Sequence, residues 1–394
     1  MAFPPIRLAS MGMFIIDSFQ YLDPTTGADL GNRGFQDQIG GGGCYFAIGA
    51  RVWLPPSEIQ VIIDRGVDWS SSDQAVLDQF NRTPSSSQSQ VSFSMWHYRS
   101  RPDRTTRALN IYRGDHRGFD YLSKKIRLEP SDLLACSPSD PPRLPQWIHL
   151  VCSPERALET ISQVDAILEQ QKHKQEQKPS FPKLVYEPIP DSCIIENLED
   201  CLRVLPRLAV FSPNHEEAAT LLGVFDQWQS VLERASEDKE ASTEIILRFV
   251  SDKLAGGFAR HVYNQMPDAV KQAKPFGPII CIRSGAWGSV VGQAGLGFYH
   301  IPAWHTSSES IKDVTGAGNS FLGGLSAYLV HTDNDNALDP TTRVKQAAMH
   351  GAVSASLVIE QLGLPSFDVQ ADEEVWNGDV AVHRLDSLRN RVCP

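Results

Sequence analysis

The chain has 394 residues, 47 acidic against 36 basic side chains, a net charge of −11 and 41% hydrophobic residues. That length buries one large α/β core or two ordinary ones, and the composition excludes collagen-like, disulfide-scaffold and wholly disordered classes. The acidic balance argues against a general nucleic-acid binder, which would gather its cations against its own field. No apolar run approaches the ~18 residues that a membrane span requires. The opening Met-Ala-Phe-Pro-Pro-Ile-Arg lacks a basic segment followed by an apolar one, so secretion is not expected. The seven cysteines (Cys44, Cys136, Cys152, Cys193, Cys201, Cys281 and Cys393) form no Cys-x-x-Cys pair. Buried thiols in a reducing compartment, the cytoplasm, are expected rather than zinc or redox motifs.

Along the chain, Arg7–Ile16 reads as a short apolar strand ending near Asp17. Gly40–Gly43 is a glycine run before a helix-like segment. Gln60–Ile63 is β-like, and Ser70–Gln90 is polar and reads as a mobile connection. Val91–Arg113 is β-prone and arginine-rich, which suits an exposed strand pair. Ser137–Gln146 carries four prolines and is a loop. Trp147–Cys152, Leu184–Tyr186, Leu208–Phe211 and Ile279–Ile282 are short apolar strands. Helices are predicted between them, through Leu158–Gln171 and Thr243–Val250, with Gln170–Lys178 charged and solvated. Strands separated by helices predict a parallel sheet covered on both faces. The rhythm crosses the proline-rich loop, so one domain over 1–394 is expected, with a C-terminal tail from about 366.

The most informative segment is Asp313-Val-Thr-Gly-Ala-Gly-Asn-Ser-Phe-Leu-Gly-Gly-Leu325. Thr315–Gly318 permits a tight turn, and Phe321, Leu322, Leu325, Tyr328 and Leu329 follow at helical spacing. Orphan N–H groups and the positive end of the helix dipole converge there, which suits phosphate or a developing oxyanion. A glycine-rich turn that simply caps a core helix is the other reading. Asn214-His-Glu-Glu217 is likewise readable as a ligand-organising carboxylate or as an ordinary helix N-cap.

Together these motifs resemble the pfkB, or ribokinase-like, family of small-molecule kinases, including a fungal branch of it. The family's signature Asp-Thr-x-Gly-Ala-Gly-Asp is matched at Asp313, Thr315, Gly316, Ala317 and Gly318. Asn319 stands where the family has its catalytic aspartate. The resemblance implies that Gly316, Ala317 and Gly318 form the anion hole for the transferred phosphoryl. It implies that Asn214 and Glu217 organise Mg²⁺ and phosphates, and that Arg283, Gly285, Gly288, Thr315 and His350 border ATP. Asp17, Gly40, Gly41 and Tyr45 fall on the substrate side, with Tyr45 in place of an asparagine. The glycine run is also readable as a flexible turn, and His350 as packing.

The implied fold is a three-layer α/β/α sandwich with a mostly parallel central sheet and a small β lid from about 16–40 and 91–113. Arg99, Arg101, Arg104, Arg107 and Arg113 would meet phosphate or guard exposed edge strands. The expected cofactors are ATP and Mg²⁺. The expected partners are a small hydroxyl-bearing substrate and a second copy through the lid, with neither nucleic acid nor membrane. Two functions compete: an ATP-dependent kinase acting on a hydroxyl without the usual base, and a nucleotide- or ligand-binding pseudokinase. A dehydrogenase is disfavoured, because no Gly-x-Gly-x-x-Gly turn follows the first strand.

Overall fold

A computed structural model of the chain describes all residues except 1–5, 35, 85–92, 114–115, 173–179, 238–241, 266–275, 336 and 393–394. Cys393, the end of the polar connection near 90 and most of Gln170–Lys178 therefore lie outside the described residues. In chain order the first strands are β1 (Leu8–Ser10), β2 (Ile15–Leu22), β3 (Gln38–Gly40), β4 (Ile59–Arg65), β5 (Trp96–Ser100), β6 (Arg107–Arg113) and β7 (His116–Tyr121). There follow β8 (Trp147–Cys152), β9 (Lys183–Pro188), β10 (Leu208–Phe211), β11 (Ile279–Arg283), β12 (Ser289–Gln293) and β13 (Gly297–Ile301). A nine-stranded sheet runs β13-β12-β11-β10-β9-β8-β1-β4-β5. All its neighbours pair in parallel except β11–β12 and β12–β13, which are antiparallel. The second sheet, β3-β2-β6-β7, stands where the lid is expected, with β7 added beyond the expected bounds, and takes that label.

The central strands are apolar on both faces, as a sheet buried between two helical layers requires. Val185, Val210 and Cys281 enter one core, and Leu184, Tyr186, Phe211 and Ile280 enter the other, following the two-residue period of the strands. Helices Gly42–Arg51, Ala317–His331 and Pro340–Val358 pack on the first face. Helices Pro154–Lys172, Leu198–Val204 and Phe225–Glu237 pack on the second. The architecture is the expected three-layer sandwich.

Gly49 and Gly323 let the first two helices of the first face touch backbone to backbone. A Cβ at Gly49 would lie 2.0 Å from the Ser320 carbonyl oxygen, and one at Gly323 would lie 2.0 Å from that of Phe46. This contact seats the glycine loop beside Gly42 and fixes the relative height of the two helices.

Several expectations are corrected. Arg7–Ile16 is not one strand: the chain leaves the central sheet after Ser10 and enters the lid at Ile15, so Asp17 lies inside β2. The break comes where Gly12 meets the helix start, since a Cβ at Gly12 would stand 2.5 Å from the Gly43 nitrogen. Val91–Arg113 divides between two sheets: Trp96–Ser100 is the edge of the large sheet, and only Arg107–Arg113 joins the lid. Ser71–Asp78 is a helix capped by Ser70, whose hydroxyl accepts from the Asp73 N–H. Its local capping outweighs the polar composition. The segment from 366 is no loose tail. Phe367 and Trp376, on the hairpin β14 (Phe367–Gln370) and β15 (Glu373–Trp376), stack with Phe80 in the core, and helix Ala381–Val392 buries Leu385 and Leu388.

The arginines from 99 to 107 are neutralised by neighbouring acids. Arg99 pairs with Asp64 and Asp132, Arg101 with Asp103, and Arg104 and Arg107 both with Asp68. They brace strands and turns and do not form a phosphate cluster; Arg113 is exposed at the end of β6.

Candidate active site

Asp313 shapes the glycine loop. Its Oδ1 accepts from the Thr315 N–H at 3.0 Å and from the Thr315 hydroxyl at 2.8 Å. Gly316 then caps helix Ala317–His331 with φ 79°, in the left-handed region, and no side chain caps that helix. The residue that needs positive φ is thus Gly316, not Gly318. The Ala317 N–H is taken by the Val314 carbonyl at 3.2 Å, and the absence of a side-chain cap leaves the following N–H groups of the first turn to an anion.

Gly318 is required for a different reason. A Cβ there would lie 1.9 Å from Nη1 of Arg283. The Arg283 guanidinium lies against the first turn of the helix. Its Nη1 faces Glu187 Oε2 at 3.1 Å, and its Nη2 donates to the Ser212 carbonyl at 2.9 Å and faces Glu217 Oε2 at 3.6 Å. Its Nε is buried with no hydrogen-bond partner among the described residues. Ser284 donates its N–H to the Gly288 carbonyl at 2.7 Å, which closes the β11–β12 turn around an exposed Gly285.

Asn319 points the other way, towards Gly42, and its Nδ2 donates to Oε1 of Glu187. The same oxygen receives His149 Nε2 at 2.9 Å, and His149 Nδ1 lies 2.9 Å from the Ser10 hydroxyl. With the carboxylate accepting from Nε2–H, a neutral ring leaves Nδ1 to accept from Ser10. Burial pushes the Glu187 carboxyl up, but Arg283, then His149 and Asn319, hold it below its ordinary value. The position of the family base is therefore an amide tied to a buried, ionised glutamate.

The Asn214 and Glu217 side chains form a reciprocal capping box. Asn214 accepts from the Glu217 N–H at 2.8 Å, and Glu217 Oε2 accepts from the Asn214 N–H at 2.7 Å. Burial raises the Glu217 carboxyl above its usual range against the pull of Arg283. A capping role predicts that Glu217→Gln is nearly neutral, because glutamine preserves the box. Glu217→Ala should cost roughly 1 kcal/mol in urea unfolding. Equal losses for both variants would exclude the box as the reason for this residue.

On the substrate side, Asp17 is buried and accepts from Asn110 Nδ2 at 3.1 Å. Gly41 is the N-cap of helix Gly42–Arg51, so the glycine run is a fixed strand-to-helix junction and not a flexible turn. Tyr45 is 3% exposed. Its ring lies flat on Gly316, where a Cβ would be 2.2 Å from the ring, and its edge reaches Gly40. It fills the space between Asp17 and the glycine loop.

His350 is not beside the loop. Its ring packs with Trp53 and Tyr328, both at 4.5 Å between centroids, and its Nδ1 meets the Gln346 carbonyl at 2.6 Å. Burial pushes its pKa down to about 4. A depressed histidine is neutral in the folded state, so its stabilisation is complete above pH ~6.5 and is lost as pH falls towards 4. At pH 5 the expected loss is roughly 2 kcal/mol, on top of smaller losses from His97 and His215, which burial also depresses. Urea unfolding at pH 7.5 and 5 measures it. His350→Gln should flatten the difference, and an unchanged slope would refute the assignment.

The chain matches the pfkB family carbohydrate kinases over residues 146–369. It belongs to that family. The chain is 27% identical to the protein MAK32 of Saccharomyces cerevisiae, over 95% of this chain and 89% of that one. It is 26% identical to an uncharacterized Schizosaccharomyces pombe protein, over 96% and 92% of the two chains. Among solved structures it is similar to the ribokinase of Giardia lamblia, at TM-score 0.55, 16% identity and 91% and 95% coverage. It is also similar to the ribokinase of Cryptococcus neoformans in complex with ADP, at TM-score 0.53, 14% identity and 98% and 99% coverage. This pfkB chain brings Asn214, Glu217, Arg283, Gly318 and Asn319 into one cluster, with Tyr45, Gly40, Asp17 and Gly316 beside it. Glu187 and His149 were absent from the sequence-level site. A lone glutamate and a lone histidine inside apolar parallel strands were the available signal. No helix among the described residues is long and apolar enough to cross a membrane.

Proposed function

We propose that this chain binds ATP through the glycine loop of the kinase fold and that phosphoryl transfer to a hydroxyl acceptor is suppressed, which makes it a pseudokinase. The carrying observation is that the base position is an amide hydrogen-bonded to Glu187. An amide takes up no proton at neutral pH, and a positioned base is worth about 10²–10⁴-fold. The Tyr45 ring adds a barrier between Asp17 and Gly316.

Phosphate fits the residues present: a helix start with no side-chain cap, small residues in the turn, and a guanidinium against the first turn whose terminal nitrogens keep N–H groups beyond those given to Glu187 and Ser212. ATP, when bound, supplies the phosphoryl group. The chain's own residues orient and neutralise it through Gly316–Gly318 and Arg283. The similar Cryptococcus ribokinase in complex with ADP supports a nucleotide on this fold.

Calorimetry with ATP, then ADP release across sugars, nucleosides and hydroxymethyl heterocycles, tests the proposal. Binding is expected, with turnover far below the ~1–100 s⁻¹ usual for kinases. A second reading, a working ATP-dependent kinase, is favoured by the Glu187 carboxylate one hydrogen bond behind Asn319. Turnover in the kinase range that Glu187→Gln abolishes would establish it instead.

A further inference from the structure

A divalent ion in this cluster would need carboxylate oxygens free to meet it or its waters. Mg²⁺ asks for near-octahedral oxygen ligands and keeps several waters. Glu217 Oε2 instead accepts the Asn214 N–H at 2.7 Å and faces Arg283 at 3.6 Å. The Asn214 side-chain oxygen is taken by the Glu217 N–H. Both Glu187 oxygens are occupied, one by His149 and Asn319 and the other by Arg283. Among the described residues no three His, Cys, Asp or Glu side chains gather as a ligand set. Among the described residues Glu217 Oε1 is the one carboxylate oxygen of this cluster outside these bonds, and a single oxygen is a poor match for the Mg²⁺ that the family resemblance implies.

A different cation already stands there. Arg283 bridges Glu187 and Glu217 and presses against Gly318 at the start of the helix. Glu187 and Glu217 balance the guanidinium, and the positive end of the helix beside it adds the charge that favours a further anion. Among the described residues the Arg283 Nε–H is buried without a hydrogen-bond partner. One N–H of Nη1 faces Glu187 and one of Nη2 goes to the Ser212 carbonyl, which leaves the remaining terminal N–H groups of the plane for phosphate.

We propose that Arg283 is the resident cation of the glycine-loop phosphate site, so that the chain binds nucleotide phosphates without holding a divalent metal ion. The proposal rests on the reading of that loop as a phosphate site. Mg²⁺ carried by a nucleotide finds at most one protein oxygen here, Glu217 Oε1.

Calorimetry of the full chain with ADP, in EDTA and in excess Mg²⁺, is the test. The two dissociation constants should agree within about threefold. Arg283→Gln should weaken ADP binding about tenfold or more, since charge-assisted bonds are lost. In that variant the released Glu187 and Glu217 should make the remaining binding depend on Mg²⁺. Arg283→Lys, which keeps the charge but loses the fork, should fall between the two and stay independent of Mg²⁺. Wild-type binding that tightens tenfold or more with Mg²⁺ would overturn the proposal. If Arg283→Gln does not fold, the wild-type comparison and Arg283→Lys still decide. No ADP binding in either buffer is a distinct result: it defeats the phosphate-site reading and this proposal with it.

Discussion

Asn319→Asp alone is expected to destabilise the protein and leave turnover low, whereas Asn319→Asp combined with Glu187→Gln is expected to raise turnover by about 10²–10⁴-fold, the usual range for a positioned base. The reason is the direct hydrogen bond from the Asn319 amide to Glu187. An aspartate at 319 puts two carboxylates in contact at a buried site, and like charges this close do not both ionise. Losing the amide donor and gaining repulsion should cost roughly 2–4 kcal/mol. A proton shared by the pair relieves the repulsion. The deficit of the single variant should therefore shrink as the pH falls, which unfolding at pH 8 and 5 would show. In the double variant, the amide at 187 donates to the new carboxylate and the negative charge moves out to the base position. Arg283 remains beside it, 3.1 Å from the present Glu187 Oε2. ADP release across the acceptor panel decides. Equal gains from the single and the double variant would show that Glu187 does not constrain the base position. No gain from either, with ATP still bound, would place the obstacle in the acceptor subsite.

The coupling of Asn319 to Glu187 also shows where sequence reading stops. Periodicity and glycine placement located β8, β9, β10 and β11 and the loop before helix Ala317–His331, because those signals are local. The charge cluster is not local: His149, Glu187, Glu217, Arg283 and Asn319 meet only once the strands lie in order in one sheet. His149 and Glu187 stood out only as polar residues in apolar strands, a pattern that also marks any satisfied buried group. The arginines of 99–107 show the same limit. Their density left an anion site and guarded edge strands equally open, and each had an acid within reach after folding. Reading Arg7–Ile16 as one strand failed because hydrophobicity cannot report a change of sheet. The glycine at the break, Gly12, was the available sign. The segment from 366 was read as a tail because its short β-hairpin has little period to detect, although Phe367 and Trp376 bury it firmly.

Tyr45→Ala is expected to produce the second large effect, on stability and on the acceptor side together. The ring is 3% exposed and lies between Gly40 and Gly316. Removing a buried aromatic ring commonly costs about 3–5 kcal/mol, part of it for the cavity left behind. Here the cavity would be lined by the backbone of Gly40 and Gly316 and by the Asp17 side chain, which lies against Gly40. Those groups are polar enough to hold water, so the cost should fall near the lower end of that range. The same cavity would join Asp17 to the glycine loop and open the route that the ring now closes. Small polyols should then raise the melting temperature of Tyr45→Ala and leave wild type unchanged. Gly316→Ala provides the converse, since a methyl group there would strike the Tyr45 ring in a left-handed turn. Combining it with Tyr45→Ala removes the collision but keeps the backbone strain, so the losses should be less than additive. If Tyr45→Ala is as stable as wild type and no polyol shifts its melting, the ring is not what separates the two halves of the site.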